Sequence, residues 1–92
     1  MATEVRDNPQ ARRYELLLDG RLVGVADYRD TGAALDFPHT EIVGELRSQG
    51  FGAELVRGAL DDVRRRGQMV IPTCSYVAQF IAEHPEYRDL VA

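Results

Sequence analysis

The chain has 92 residues, of which 45% are hydrophobic and none is tryptophan, and it carries a formal charge of −4. That length makes one domain, residues 1–92, with little stability to spare, and the composition is neither disordered nor collagen-like. All eleven basic residues are arginine, and the acidic balance argues against generic DNA binding, which rests on neutralising phosphates.

Residues 1–9 read as a loose polar lead-in, without the apolar run of a signal peptide or membrane anchor. Tyr14, Leu16 and Leu18 alternate with Glu15 and Leu17 as in a strand. Asp19-Gly20 is a strong hairpin signal, because both central residues of a type I′ turn need positive φ. Residues 21–29 form the return strand, with Leu22, Gly24 and Ala26 on one face and Val23, Val25 and Asp27 on the other. A turn at Asp30-Thr31-Gly32 leads into a third strand, residues 33–43, where Pro38 predicts a bulge or a missing ladder bond.

The period then changes. Leu55, Val56, Ala59, Leu60 and Val63 share one face of a helix over residues 50–66, and the run Arg64–Arg66 lies at the end that the helix dipole favours for cations. Gly67 is a stop signal, and residues 69–71 make a short buried strand closed by Pro72. Ser75 or Thr73 is expected to cap a second helix running to about Glu83, with Val77, Phe80 and Ile81 inward. His84-Pro85 ends that helix, and residues 85–91 form a final turn or short helix. The expected fold is therefore α/β (α+β): a mixed, mostly antiparallel sheet with two main helices. The last strand should lie parallel to the third, through a right-handed crossover.

The chemically informative stretch is Leu46-Arg47-Ser48-Gln49-Gly50-Phe51-Gly52-Ala53, after a strand and at the opening of a helix. Glycines at 50 and 52 let backbone N–H groups approach a ligand, and the unpaired N–H groups of a helix start suit a phosphate or pyrophosphate. Arg47 could add a charge-assisted contact. The plainer reading is a tight strand-to-helix turn. A dinucleotide fingerprint would need a third glycine where Leu55 stands, and a P-loop would need a lysine. His39-Thr40-Glu41 with Pro72-Thr73-Cys74 touches the zinc-deaminase pattern, but that chemistry requires further thiolates. Cys74 is the single cysteine, so no metal site is expected, an intrachain disulfide is excluded, and a reducing, cytoplasmic setting follows.

Arg47, Gly50 and Gly52 match R/Q-x-x-G-x-G/A, the acetyl-CoA signature of the GCN5-related N-acetyltransferases, and the chain resembles that superfamily. His39-Thr40-Glu41-Ile42-Val43, Pro72-Thr73-Cys74-Ser75-Tyr76-Val77 and His84-Pro85-Glu86-Tyr87 are similar to its small single-domain, YjdJ-type members. The resemblance spans residues 5–91. It implies a minimal acyl-CoA N-acyltransferase fold in which residues 36–43 and 69–73 splay into a V-shaped slot for the pantetheine arm of acetyl-CoA. The pyrophosphate would lie on the backbone of Gln49, Gly50, Phe51, Gly52 and Ala53, beside Arg47 and Ser48. Ile42 and Val43 would hydrogen-bond the pantetheine amides through main chain. The extra N-terminal helices and C-terminal strands that usually enclose the acceptor are missing.

Four residues are candidates for catalysis. Cys74 precedes a helix N-terminus, where a thiolate is stabilised; it either carries the acetyl group, lines the slot, or is an inert buried thiol. His39 and Glu41 share a strand face; if that face borders the slot, either is placed to deprotonate an amine, and otherwise they are half-exposed polar residues. Tyr76 lies one turn into the second helix, where many superfamily members carry a tyrosine that protonates the departing thiolate; a packing role is the alternative. Phe80 reads as core and His84 as a helix end. Arg64–Arg66 read as a solvated helix end, with contact to the 3′-phosphate of the cofactor as the other option.

The expected function is acetyl transfer from acetyl-CoA to an amine acceptor, small or macromolecular, directly or through Cys74. The alternative is a coenzyme A-binding module without turnover, serving as a sensor or a partner of another protein; a purely structural module leaves residues 47–53 unexplained. With no lysine of its own, any lysine the protein modifies belongs to another molecule. A monomer or weak dimer away from membranes completes the expectation.

Overall fold

A computed structural model describes residues 2–92. Five strands, β1 (Thr3–Asn8), β2 (Arg13–Leu18), β3 (Arg21–Asp30), β4 (Ala34–Ile42) and β5 (Met69–Ile71), form one sheet in the order β1-β2-β3-β4-β5. The first four are antiparallel neighbours, and β5 runs parallel to β4. Helix α1 (Phe51–Arg65) makes the crossover between β4 and β5, and helix α2 (Ser75–Glu83) follows β5. Short 3₁₀ turns occupy Gly44–Leu46 and Pro85–Leu90. Both helices contribute to one apolar core with Tyr14, Leu16, Ala26, Leu35 and Phe37 of the sheet.

Most elements follow from local chemistry. Asp19 and Gly20 take φ of 50° and 85°, as the hairpin requires. Helix α1 buries Phe51, Leu55, Val56, Ala59, Leu60 and Val63 along one stripe, and each fully buried Leu or Val on it stabilises the fold by about 1.5–3 kcal/mol. The register between β3 and β4 passes from Asp27↔His39 to Arg29↔Asp36. Phe37 and Pro38 thus oppose Tyr28 alone, which is the bulge that the proline demands.

Three expectations need correction. Residues 3–8 are not a loose lead-in but the edge strand β1, and Met1 lies outside the described residues. Strand β1 is held by long-range contacts: Val5 packs on Gly58 of α1, and Asp7 accepts hydrogen bonds from Tyr28 Oη (2.7 Å) and Arg66 Nη2 (2.7 Å). Arg66 and Tyr14 both meet Asp62, the tyrosine at 2.6 Å, so one polar network joins three strands to the end of α1. The second correction concerns β3. A bulge places Val23 opposite the step between Leu16 and Leu17, so Val23 is buried while Leu22 is 41% exposed. The third concerns the cap of α2, which is Cys74; Thr73 directs its hydroxyl to Asp36 instead.

The β4–β5 ladder is short, ending at Asp36↔Ile71. Just past it, Thr73 Oγ1 donates to Asp36 Oδ1 at 2.5 Å and the Cys74 N–H donates to Phe37 O at 2.7 Å. The Thr73 hydroxyl first, and the Arg29 guanidinium second, hold the Asp36 carboxyl below its ordinary value. A depressed folded-state pKa contributes stability that is present above the unfolded value of 3.8 and is lost as pH falls through the folded one.

Two outcomes follow. Gly58→Ala gives up to about 1 kcal/mol in helix propensity, but its Cβ would stand 2.7 Å from Val5 Cβ. Displacing β1 costs about 1–3 kcal/mol, so thermal melts should show net destabilisation, and the effect should be smaller in a Val5→Gly background, which removes the opposing Cβ. Asp36→Asn should lower the melting temperature at pH 7. The gap to the wild type should begin to shrink as pH falls below about 4, where the unfolded carboxyl takes up its proton, and should close once the native carboxylate is protonated as well.

Candidate active site

The site begins where the β4–β5 ladder stops. Strand β4 continues to Ile42 while β5 ends at Ile71. Val43 donates its N–H to Val23 O at 2.9 Å, so residues 39, 41 and 43 turn their main-chain groups toward β3, and Thr40 and Ile42 turn theirs to the free edge. Ile42 O accepts Arg47 Nε at 3.4 Å from that side. Thr40 and Ile42 therefore present main chain at the free edge, whereas the Val43 N–H is engaged by β3. Thr40 was not singled out from the sequence, although its shared parity with Ile42 on one strand carries the signal.

At the other end of this edge stands the start of α1. Gly50, with φ of 85°, occupies the N-cap in a conformation that disfavours any side chain. Among the described residues no side chain caps α1. The Glu54 N–H already bonds Gly50 O, which leaves the N–H groups of Phe51, Gly52 and Ala53 without intrahelical acceptors. These groups, with the helix dipole behind them, form an anion cradle. Phe51 contributes only main chain, since its ring is buried in the core.

A hollow of about 350 Å³ joins the two ends, lined by Thr40 and Ile42, by Leu46, Arg47 and Ser48, by Gly50 and Gly52, and by Tyr76. Gln49 lies outside it, with its amide on Glu45 O at 3.5 Å. Ala53 faces an adjoining groove that Tyr76, Phe80 and His84 also line. The Tyr76 hydroxyl rests against Gly52, where a Cβ would stand 2.8 Å away. Burial, and then the charge of Glu83, raise the Tyr76 pKa, so its hydroxyl stays protonated as a donor.

Cys74 is half-buried at the closed end of the free edge, with Sγ 3.7 Å from Thr40 Oγ1. His39 and Glu41 occupy the opposite sheet face, because Thr40 and Ile42 take the helix side. They are 57% and 61% exposed and pair at 3.1 Å. They flank the same open edge from behind rather than from within the hollow. Arg64, Arg65 and Arg66 are bound to Asp89, Asp62 and Asp7 respectively, about 20 Å along α1 from the cradle by helical rise, so they do not serve a phosphate there.

The donor set fits acetyl-CoA. The cradle matches a pyrophosphate, the outward groups of Thr40 and Ile42 match amides, and the mixed apolar and polar walls match a pantetheine arm. Among the described residues no group of three or more His, Cys, Asp or Glu could hold a metal ion, and no helix is long and apolar enough to cross a membrane.

Comparison with known proteins identifies the fold and the family. No curated protein matches the chain. A solution structure of a GCN5-like N-acetyltransferase candidate from Staphylococcus aureus superposes with a TM-score of 0.72 at 19% identity, covering 97% of this chain and 87% of that one; at that identity the likeness is one of fold. The profile of the GCN5-related N-acetyltransferases matches residues 13–90. With most of its length so matched, the chain belongs to the GCN5-related N-acetyltransferase family and is an acyltransferase.

Proposed function

We propose that the protein transfers the acetyl group of acetyl-CoA directly to a primary amine. The observation that carries this reading is the free edge of β4, which runs from the uncapped start of α1 to the Cys74–Thr40 contact with a hollow beside it. Acetyl-CoA supplies an activated thioester; the protein supplies position and proton management. The N–H groups of residues 51–53 hold the pyrophosphate, with Arg47 at the rim. Thr40 and Ile42 orient the arm, and Ser48 and Gly50 shape the turn that admits it.

The helix side of the sheet is filled, so the acceptor approaches from the face of His39 and Glu41. Glu41, in contact with His39, takes the proton released as the new C–N bond forms and the C–S bond breaks. Tyr76 holds the proton available to the departing sulfur. Cys74 stands behind Thr40 at the closed end of the slot and takes no part in holding the coenzyme. His39 and Glu41 are exposed to solvent, so the acceptor side is open among the described residues, which suits an amine on a macromolecule as well as a small one.

Ala53→Glu places a carboxylate in the first turn of α1, where the dipole stabilises it, yet it should repel a pyrophosphate. Calorimetric titration should show saturable acetyl-CoA binding to the wild type, weakened ten-fold or more in this variant with an undiminished melting temperature. Absence of heat with the wild type at millimolar acetyl-CoA overturns the reading. In a screen of primary amines, Glu41→Gln should lower the rate by about 10²–10⁴-fold while leaving acetyl-CoA affinity in place. An unchanged rate would remove Glu41 as the base.

A further inference from the structure

Resting on the acetyl-CoA reading, we propose that the contact between Cys74 and Thr40 is a steric stop that restricts the transferred group to acetyl. The final main-chain link between β4 and the chain after β5 is the Cys74 N–H on Phe37 O, at 2.7 Å. Pro38 follows in the bulge, and Thr40 is the next residue whose main chain faces the free edge. There Cys74 Sγ lies 3.7 Å from Thr40 Oγ1, so the gap that is open beside Ile42 is closed beside Thr40. Thr40 lines the hollow and Cys74 stands behind it.

What lies past this contact is core. Phe37 and Val77 are each 1% exposed, Phe37 stacks on Tyr14 with ring centroids 6.1 Å apart, and an apolar recess between Ala26, Phe37, Ala59 and Val77 is too small to hold a water molecule. Ala26 is the cross-strand partner of Thr40, and Val77 lies one turn beyond Cys74 on α2. An acyl tail directed along the edge away from the cradle therefore meets the Thr40 and Cys74 side chains first. Two carbons end at that wall; four must displace it. Close-packed interiors yield little to such insertion.

The discriminating experiment measures dissociation constants of the full chain for free coenzyme A, acetyl-CoA and butyryl-CoA by calorimetry. The wild type should bind butyryl-CoA at least roughly ten-fold more weakly than acetyl-CoA, the scale on which added methylenes are resolved by a fixed pocket. Cys74→Ala should narrow that ratio to about three-fold or less, by joining the slot to the apolar recess, with free coenzyme A bound as before. Cys74→Ser, which keeps the size, should keep the wild-type ratio. Thr40→Ala acts on the other half of the contact and should narrow the ratio as well, which guards against a folding defect peculiar to one variant. Equal affinity for the two thioesters in the wild type overturns the stop, as does a ratio unmoved in both Cys74→Ala and Thr40→Ala. Failure of free coenzyme A itself to bind overturns the coenzyme reading, and the stop with it.

Discussion

The separation of β4 from β5 governs everything that surrounds the site. These strands share only Ala34–Asp36 against Met69–Ile71, and in an ordinary sheet the ladder would continue. Here Pro38 supplies no N–H and bulges the strand, while Pro72 ends β5. The parting point is then fixed on both sides: Asp36 accepts the Thr73 hydroxyl, and Phe37 O accepts the Cys74 N–H. Main-chain groups of β4 beyond that point are left facing a gap. Backbone polar groups need partners, and on this edge, where a side chain, Arg47, reaches Ile42 O, no strand continues the ladder beside Thr40 and Ile42.

The second unpaired set, at the start of α1, has the same physical character. A helix N-terminus without a side-chain cap is costly to leave alone, and Gly50 in its left-handed conformation offers no side chain that could serve. The two sets face one hollow, one suited to amides and the other to an anion. The candidate site thus consists of backbone groups as much as of side chains.

The sheet face away from the helices is maintained differently. Glu15 is 3% exposed there and accepts from Arg6, Asn8 and Arg13 at 2.8–3.1 Å. Burial alone would raise its pKa, but the three donors outweigh it and hold the carboxyl below its ordinary value. Among the described residues neither helix covers this face, and His39 and Glu41 stand on it beside the slot.

The sequence by itself determined the hairpin at Asp19-Gly20, the buried stripe of α1, the bulge at Pro38 and the parallel placement of β5, because each is dictated by local periodicity, turn chemistry or the handedness of a crossover. The profile of residues 47–53 was equally legible, since glycine spacing and a helix start are local facts. Tertiary structure decided the rest. Strand β1 exists through Val5 on Gly58 and Asp7 on Arg66, contacts separated by more than fifty residues that leave almost no trace in the alternation of residues 3–8. The β3 bulge exchanged the faces of Leu22 and Val23, a shift of one residue that a period of two cannot foresee. The directions of Thr40, Val43, His39 and Glu41 became definite only once the register with β3 was set, because a strand pattern says which side chains share a face but not which face meets the helices.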